Sequence, residues 1–175
     1  MPTDVNSTFD IALFFFDKAI DLNKHLQPQK LQRLLYLSQG YYYATFKRKL
    51  MPATFIADER GPMEPNIFIA FSKGRPDFDL NILFTDQIKR FLDSIWKKFG
   101  RMSTTNLDSL TNNTNAFLDA RIRGDKAEIN LLKMGTDFSR GQAKISVSKS
   151  EHFKTMRNQA GKKVKVSQWL PKSIK

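Results

Sequence analysis

Cysteine is absent from the 175-residue chain, which excludes disulfides, thiolate metal sites and a cysteine nucleophile. Histidine is scarce: His25 and His152 are the only two, too few for a multi-histidine metal site within one chain. Neither has a readable Ser and Asp arrangement around it, so neither is expected to be catalytic. No apolar run approaches the roughly 18 residues that a membrane-spanning helix needs. The Phe-rich segment near the N-terminus is preceded by acids rather than a basic cluster, so no signal peptide is expected and the chain reads as cytoplasmic. Gly135 and Gly141 stand six apart, but the Lys-Ser/Thr end of a phosphate-cradling loop is missing. No catalytic constellation, cofactor site or metal site emerges, and no internal repeat is present.

What the chain does contain is an ordinary globular composition with an uneven charge. Apolar residues make up 41% and charged residues 26%, enough for one domain with a core. The formal charge is +12, yet residues 140–175 hold 10 Lys or Arg against one acid, a net +9, leaving +3 for the rest. The body is near neutral and the tail is basic. Such a block points to an acidic partner, whether nucleic acid, anionic lipid or protein.

Helix signals dominate the body. Ser7 or Asp10 caps a first helix reaching about Leu22, with Ile11, Ala12, Phe15, Phe16, Ala19 and Ile20 as its inner stripe. Pro28 opens a second, in which Leu31, Leu34, Leu35, Ser38, Tyr41 or Tyr42, and Thr45 form one apolar face. Gly40 lies inside it, where another backbone is expected to pack close. Arg33 falls on the more polar side. Leu50 to Ile56 reads as a short strand or extended segment, with Pro52 arguing for an edge, and Gly61-Pro62 as a turn. Pro65 begins a short helix through Phe71. Thr85 or Asp86 caps a helix with Ile88, Phe91, Leu92, Ile95, Trp96 and Phe99 on one face, ended by Gly100. Shorter helices follow at Ser103 to Leu110, Ala116 to Arg123 and Asp125 to Met134. Gly135 to Gly141 then reads as a hinge. In the tail, Ile145, Val147, Val164 and Val166 alternate with polar residues in a strand-like period. The expected fold is mainly α with a small β element: a helical domain over 8–133 and a basic extension over 134–175.

Candidate sites are surfaces. Asp58, Glu59, Arg60 and Glu64 are expected to form a surface ion-pair cluster rather than hold a cation. Three successive tyrosines, Tyr41 to Tyr43, cannot all face inward on one side of a helix, so some are exposed or covered by another segment. In the tail, Lys144, Lys149, Lys154, Arg157, Lys162, Lys163 and Lys165 flank Phe153 and precede Trp169, combining phosphate-neutralising charge with stacking surfaces. Contact with nucleic acid and docking onto protein both remain open for this segment.

One two-part pattern resembles a known family. It reads Leu26-x-Pro28-x-Lys30-Leu31-x-x-Leu34-Leu35-Tyr36-x-x-Gln39-Gly40-Tyr41, then Ala57-x-x-x-Gly61-Pro62-x-x-Pro65. This is similar to the Panacea domain of the GepA-like and SocA-like proteins, over roughly Phe9 to Ala120. The resemblance implies a small, mostly helical, non-enzymatic cytoplasmic module coded in prophages and mobile elements. It further implies an antitoxin that binds an adjacent-gene toxin directly, or, in the SocA-like branch, an adaptor that delivers the toxin to a protease. Family-defining positions would be Lys30, Leu31, Leu34, Leu35, Tyr36, Gln39, Gly40, Gly61 and Pro62. The chain departs from the pattern at Asp58 (Trp in the family), Arg60 (an aromatic) and Met63 (Val). Leu110-Thr111-Asn112, with Phe117 following, stands where the family has Leu-Thr-His before an aromatic. On this reading Arg33, Tyr42, Asp58, Arg60 and Met63, with Trp169 from the tail, are the expected partner-binding residues.

Overall fold

In a computed structural model of the chain, residues 2–76, 84–140, 154–157 and 163–166 are described, those from Arg140 onward as backbone alone. The organising element is α2 (Pro28–Phe46), whose residues 31–43 are all buried. It is surrounded rather than half-wetted. The helices α1 (Thr8–Ile20), α3 (Pro65–Ala70), α4 (Asp86–Phe99), α5 (Thr104–Asn112) and α7 (Leu131–Arg140) all pack against it. α6 (Asn115–Arg123) joins through α7. The one-faced reading of α2 is therefore corrected, because a second shell of elements covers its polar side. All three tyrosines are buried.

Local signals set most helix starts. Ser7, Thr85, Ser103 and Thr114 cap α1, α4, α5 and α6 through their side-chain oxygens, and Glu64 caps α3. α2 starts on Pro28 and stops at Lys47, which adopts a left-handed conformation. Of the capped helices, α1 and α4 turn an apolar stripe inward. Ile88, Phe91, Leu92, Ile95 and Phe99 form that of α4, and Tyr42 stands edge-on to Phe91 at 5.0 Å.

Two aromatic–glycine contacts lock α7 onto α2. The Phe138 ring occupies the space where a Cβ on Gly40 would fall, and Tyr43 does the same for Gly135. A ring, not a backbone, thus explains Gly40. Phe138 also lies 4.7 Å from Tyr41 and 6.0 Å from Tyr36, centroid to centroid. These contacts correct the hinge expected at 135–141, since the stretch to Arg140 is helix and Gly135 is packed within it. The helix expected at Asp125 to Met134 starts later, where Asn130 Oδ1 accepts the Leu132 and Lys133 N–H groups at 2.9 and 3.1 Å. From α7, Asp137 accepts the Ala116 N–H at 2.8 Å and fastens the start of α6.

The β element is a tight hairpin of β1 (Ile56–Asp58) and β2 (Gly61–Met63), paired Ile56 with Met63 and Asp58 with Gly61. Glu59 and Arg60 make the turn, so Gly61-Pro62 opens the return strand instead of turning the chain. The other edge of β1 bonds the 126–129 segment, Ala57 N–H donating to Ala127 O at 2.9 Å. Leu50 to Phe55 is not a strand; Lys49 and Leu50 carbonyls instead accept the Asp4 and Val5 N–H groups. In the tail, β3 (Lys154–Arg157) and β4 (Lys163–Val166) pair antiparallel, which agrees with the strand-like period at Val164 and Val166. Ile145 and Val147 lie outside the described residues. Among the described residues no helix is long and apolar enough to cross a membrane.

Candidate partner-binding site

The site grows from the first two turns of α2, where four polar residues reach α5, the end of α4, Glu64 and the hairpin. Gln29 Nε2 donates to Asp108 Oδ2 on α5 at 2.9 Å. Lys30 Nζ donates to the carbonyls of Gly100 and Met102, at 2.9 and 2.8 Å, just past the end of α4. Those carbonyls lie at the negative end of that helix, so the ammonium satisfies them in both hydrogen bonding and charge. Burial, with Lys24 nearby, lowers the Lys30 pKa from its ordinary value. Gln32 brackets the backbone of Glu64, accepting its N–H at 2.7 Å and donating to its C=O at 3.4 Å.

Arg33 is the centre of this network and is only 2% exposed. Its Nε donates to Asp108 Oδ1 at 2.6 Å, and its Nη1 to Pro62 O at 2.8 Å. Nη2 donates to the carbonyl of Arg60. One guanidinium thereby holds the turn and the return limb of the hairpin, together with an acid of α5. Burial pulls its pKa down while the hydrogen bond and charge of Asp108 hold it up. Gly61 is required beside it. Its φ of +118° suits glycine, and a Cβ there would collide with the guanidinium and with Asn112.

On this anchored base sits a cleft of about 230 Å³ between the start of α2, the hairpin and α3. Arg33, Asp58, Arg60 and Met63 line it together, with Gln29 and Phe68. Four of the residues read from sequence as partner-binding are thus brought to one place. Their exposure differs: Arg60 is on the surface, Asp58 and Met63 are half-buried, and Arg33 is buried in the cleft wall. Arg33 is consequently corrected from an accessible hot spot to a support.

Tyr42 is not there at all. It is 2% exposed on the far part of α2, and its hydroxyl donates to Asp4 Oδ2 at 2.5 Å. Burial, the largest cause, raises its pKa. The expected ion-pair cluster does not form either: Glu64 turns inward to cap α3, accepting the Ile67 N–H at 2.7 Å. Asp58 accepts the backbone N–H of Arg60 at 3.1 Å. His25 is exposed in the loop after α1. Trp169, His152, Lys144, Lys149 and Lys162 lie outside the described residues. Lys154, Arg157, Lys163 and Lys165 occupy the strands of the tail hairpin.

Every motif position belongs to the scaffold. Leu31, Leu34, Leu35, Tyr36, Gln39, Gly40, Gly61 and Pro62 are buried, and Lys30 is half-buried. Tyr36 shares a hydrogen bond of 2.9 Å with Thr114 Oγ1, and burial raises its pKa. The antitoxin SocA-like Panacea domain matches residues 31–116. Over those 86 of the 175 residues the chain matches a Panacea domain. The matched segment runs from α2 to the start of α6 and contains Arg33 with its partners Arg60, Pro62 and Asp108, while Gln29 and Lys30 precede it. No curated protein and no solved structure shows significant similarity to the chain. Around the Panacea segment, sequence reading missed Asp108, Gln29, Gln32 and Phe68. Asp108 carries no local sign of its role, because its partner is 75 residues away. The leucine-flanked pair Gln32-Arg33 offered a faint one, as polar residues inside a buried helix need fixed partners.

Proposed function

We propose that the protein is a non-enzymatic antitoxin that neutralises an adjacent-gene toxin by direct binding, with the β1–β2 hairpin and its cleft as the contact surface. The antitoxin family of the Panacea domain supports the role. The observation that carries the surface is the contrast at the hairpin: backbone clamped from below by Arg33, side chains of Asp58, Arg60 and Met63 turned to the cleft and its rim. A preorganised loop loses little entropy on binding, and arginine is a favoured hot-spot residue at interfaces. The three hairpin positions at which this chain departs from the family pattern are these same ones. They suit a partner of this chain's own.

The test is growth of cells expressing the adjacent gene with the full chain, with Arg60→Glu, and with Met63→Asp. Rescue by the full chain and loss of rescue by both variants, at equal protein levels, supports the reading. Full rescue by both variants removes the hairpin from the contact, and a harmless neighbour gene removes the antitoxin role. A second reading rests on the tail, where the strands of the β3–β4 hairpin include Lys154, Arg157, Lys163 and Lys165. Phosphate contacts there would give nucleic-acid binding that collapses with added salt and with deletion from Arg140. Equal binding by the truncated body refutes it.

A further inference from the structure

Gln39 uses only half of its amide. The residue is 1% exposed. Its Oε1 accepts the Met51 backbone N–H at 3.2 Å, and that bond assigns oxygen and nitrogen within the group. Nε2 is buried with no acceptor among the described residues. A buried donor left unpaired costs its full desolvation, so a missing acceptor is the natural question.

The residue lines a crevice of about 130 Å³ between α2, the 53–55 segment and α7. Ala53, Phe55 and Met134 give it apolar walls, while Lys49, Thr54 and Glu128 lie on its polar side. The crevice shares Glu128 and Leu131 with a broad depression of about 700 Å³, edged by Leu132, which is 61% exposed.

We propose that the crevice receives one carboxamide group, its carbonyl oxygen accepting from Gln39 Nε2, carried by a peptide segment of a partner protein lying in the adjoining depression. Three features select this ligand. The unpaired group is a donor, so the ligand must present an acceptor. A cavity of about 150 Å³ admits a molecule of benzene size, so this one holds a carboxamide and its methylene. Lys49 and Glu128 contribute one charge of each sign, which disfavours a carboxylate beside the acid and an ammonium beside the lysine. A neutral amide meets all three conditions. It comes from an Asn or Gln side chain or from a main-chain peptide group. The site is six residues along α2 from Arg33, about 9 Å by helical rise, and stands whether or not the hairpin cleft binds the toxin.

The experiment is an NMR titration of the isotope-labelled full chain with acetamide, N-methylacetamide and acetate. Saturable shifts at the Ala53 and Thr54 amides and at the Gln39 side-chain amide are expected with an amide probe. Acetamide binding more tightly names a side-chain source, and N-methylacetamide a main-chain one. Acetate should bind at least about tenfold more weakly. Gln39→Glu keeps the acceptor for Met51 and removes the donor, so amide binding should fall at least about tenfold. Thr54→Phe, at an exposed position, should block the crevice without touching the core, and decides the matter if the Gln39→Glu chain does not fold. Absence of shifts with both amides, unchanged binding in Thr54→Phe, or acetate binding equal to the amides overturns the proposal. So does a crystal structure in acetamide with an ordered water alone on Nε2.

Discussion

Replacing Arg33 by methionine tests the anchor of the hairpin. Methionine follows a similar path but carries none of the three hydrogen bonds. It strands the Pro62 carbonyl in a buried place, which costs about 1–3 kcal/mol, and removes a charged hydrogen bond worth about 1.5–3 kcal/mol. Against this, the guanidinium no longer has to be desolvated. Asp108 also loses less than a fully buried acid would, since its side chain is 27% exposed and keeps Gln29. The net expectation is a loss of about 3 kcal/mol. In urea unfolding, with a slope of about 1–3 kcal/mol per molar, the midpoint should fall by about 1–3 M. Asp108→Ala should be damaging for the opposite reason, because it leaves a buried cation without its counter-ion. The double variant Arg33→Met/Asp108→Ala should then be more stable than Asp108→Ala alone. A midpoint shift below about 0.3 M for Arg33→Met, or a double variant that is the least stable of the three, would refute the reasoning.

Gly40→Ala should destabilise by about 1–3 kcal/mol through collision with Phe138, offset in part by about 1 kcal/mol of helix propensity; in a Phe138→Ala background the same change should be neutral or favourable by thermal melting. Burial raises the Tyr41 pKa to about 12, so a folded protein whose tyrosine prefers to stay neutral loses stability as pH rises from about 10 toward 12. Ultraviolet titration should show Tyr36, Tyr41 and Tyr42 ionising only with alkaline unfolding, and their titration near pH 10 in the folded chain would contradict the packing. Asp119 is held below the ordinary carboxylate value of 3.8, first by its hydrogen bond from Lys133. A depressed acid stabilises above its unfolded value and loses that contribution as pH falls through the folded one. The Tm difference between the natural chain and Lys133→Met should therefore shrink on acidification below pH 3.8; a difference independent of pH would show the pair to be idle.

Helix starts are legible because their causes are local. Ser7, Thr85 and Ser103 each bond a backbone N–H two or three residues on, a contact contained within a few letters of sequence. Helix α7 is not legible as placed, because Gly135 counts as a breaker until Tyr43 is seen packed against it. The Asn130 cap is a usable sign that the glycine outweighs. At the hairpin, the spacing of Asp58, Arg60, Gly61 and Met63 marks the right place, while Gly61-Pro62 reads as the turn itself. The φ of Gly61 has a turn-like value, yet the glycine serves to admit Arg33. Arg33 and Tyr42 show the limit of helical periodicity. It separates two sides of a helix but does not say whether the polar side meets water or another element; for Arg33 the answer comes from α5 and the hairpin, for Tyr42 from α4 and Asp4.

The clamp on the hairpin grips carbonyl oxygens, and every residue type supplies the same carbonyl. Positions 60 and 63 can thus be rewritten without loosening the hold, provided that glycine stays at 61, arginine at 33 and, at 58, a side chain that accepts the Arg60 N–H. The loop behaves as an exchangeable cassette on a fixed mount. Hairpins of equal length taken from other sequences should graft onto this domain intact, giving a route to retargeted binders that keep the original frame.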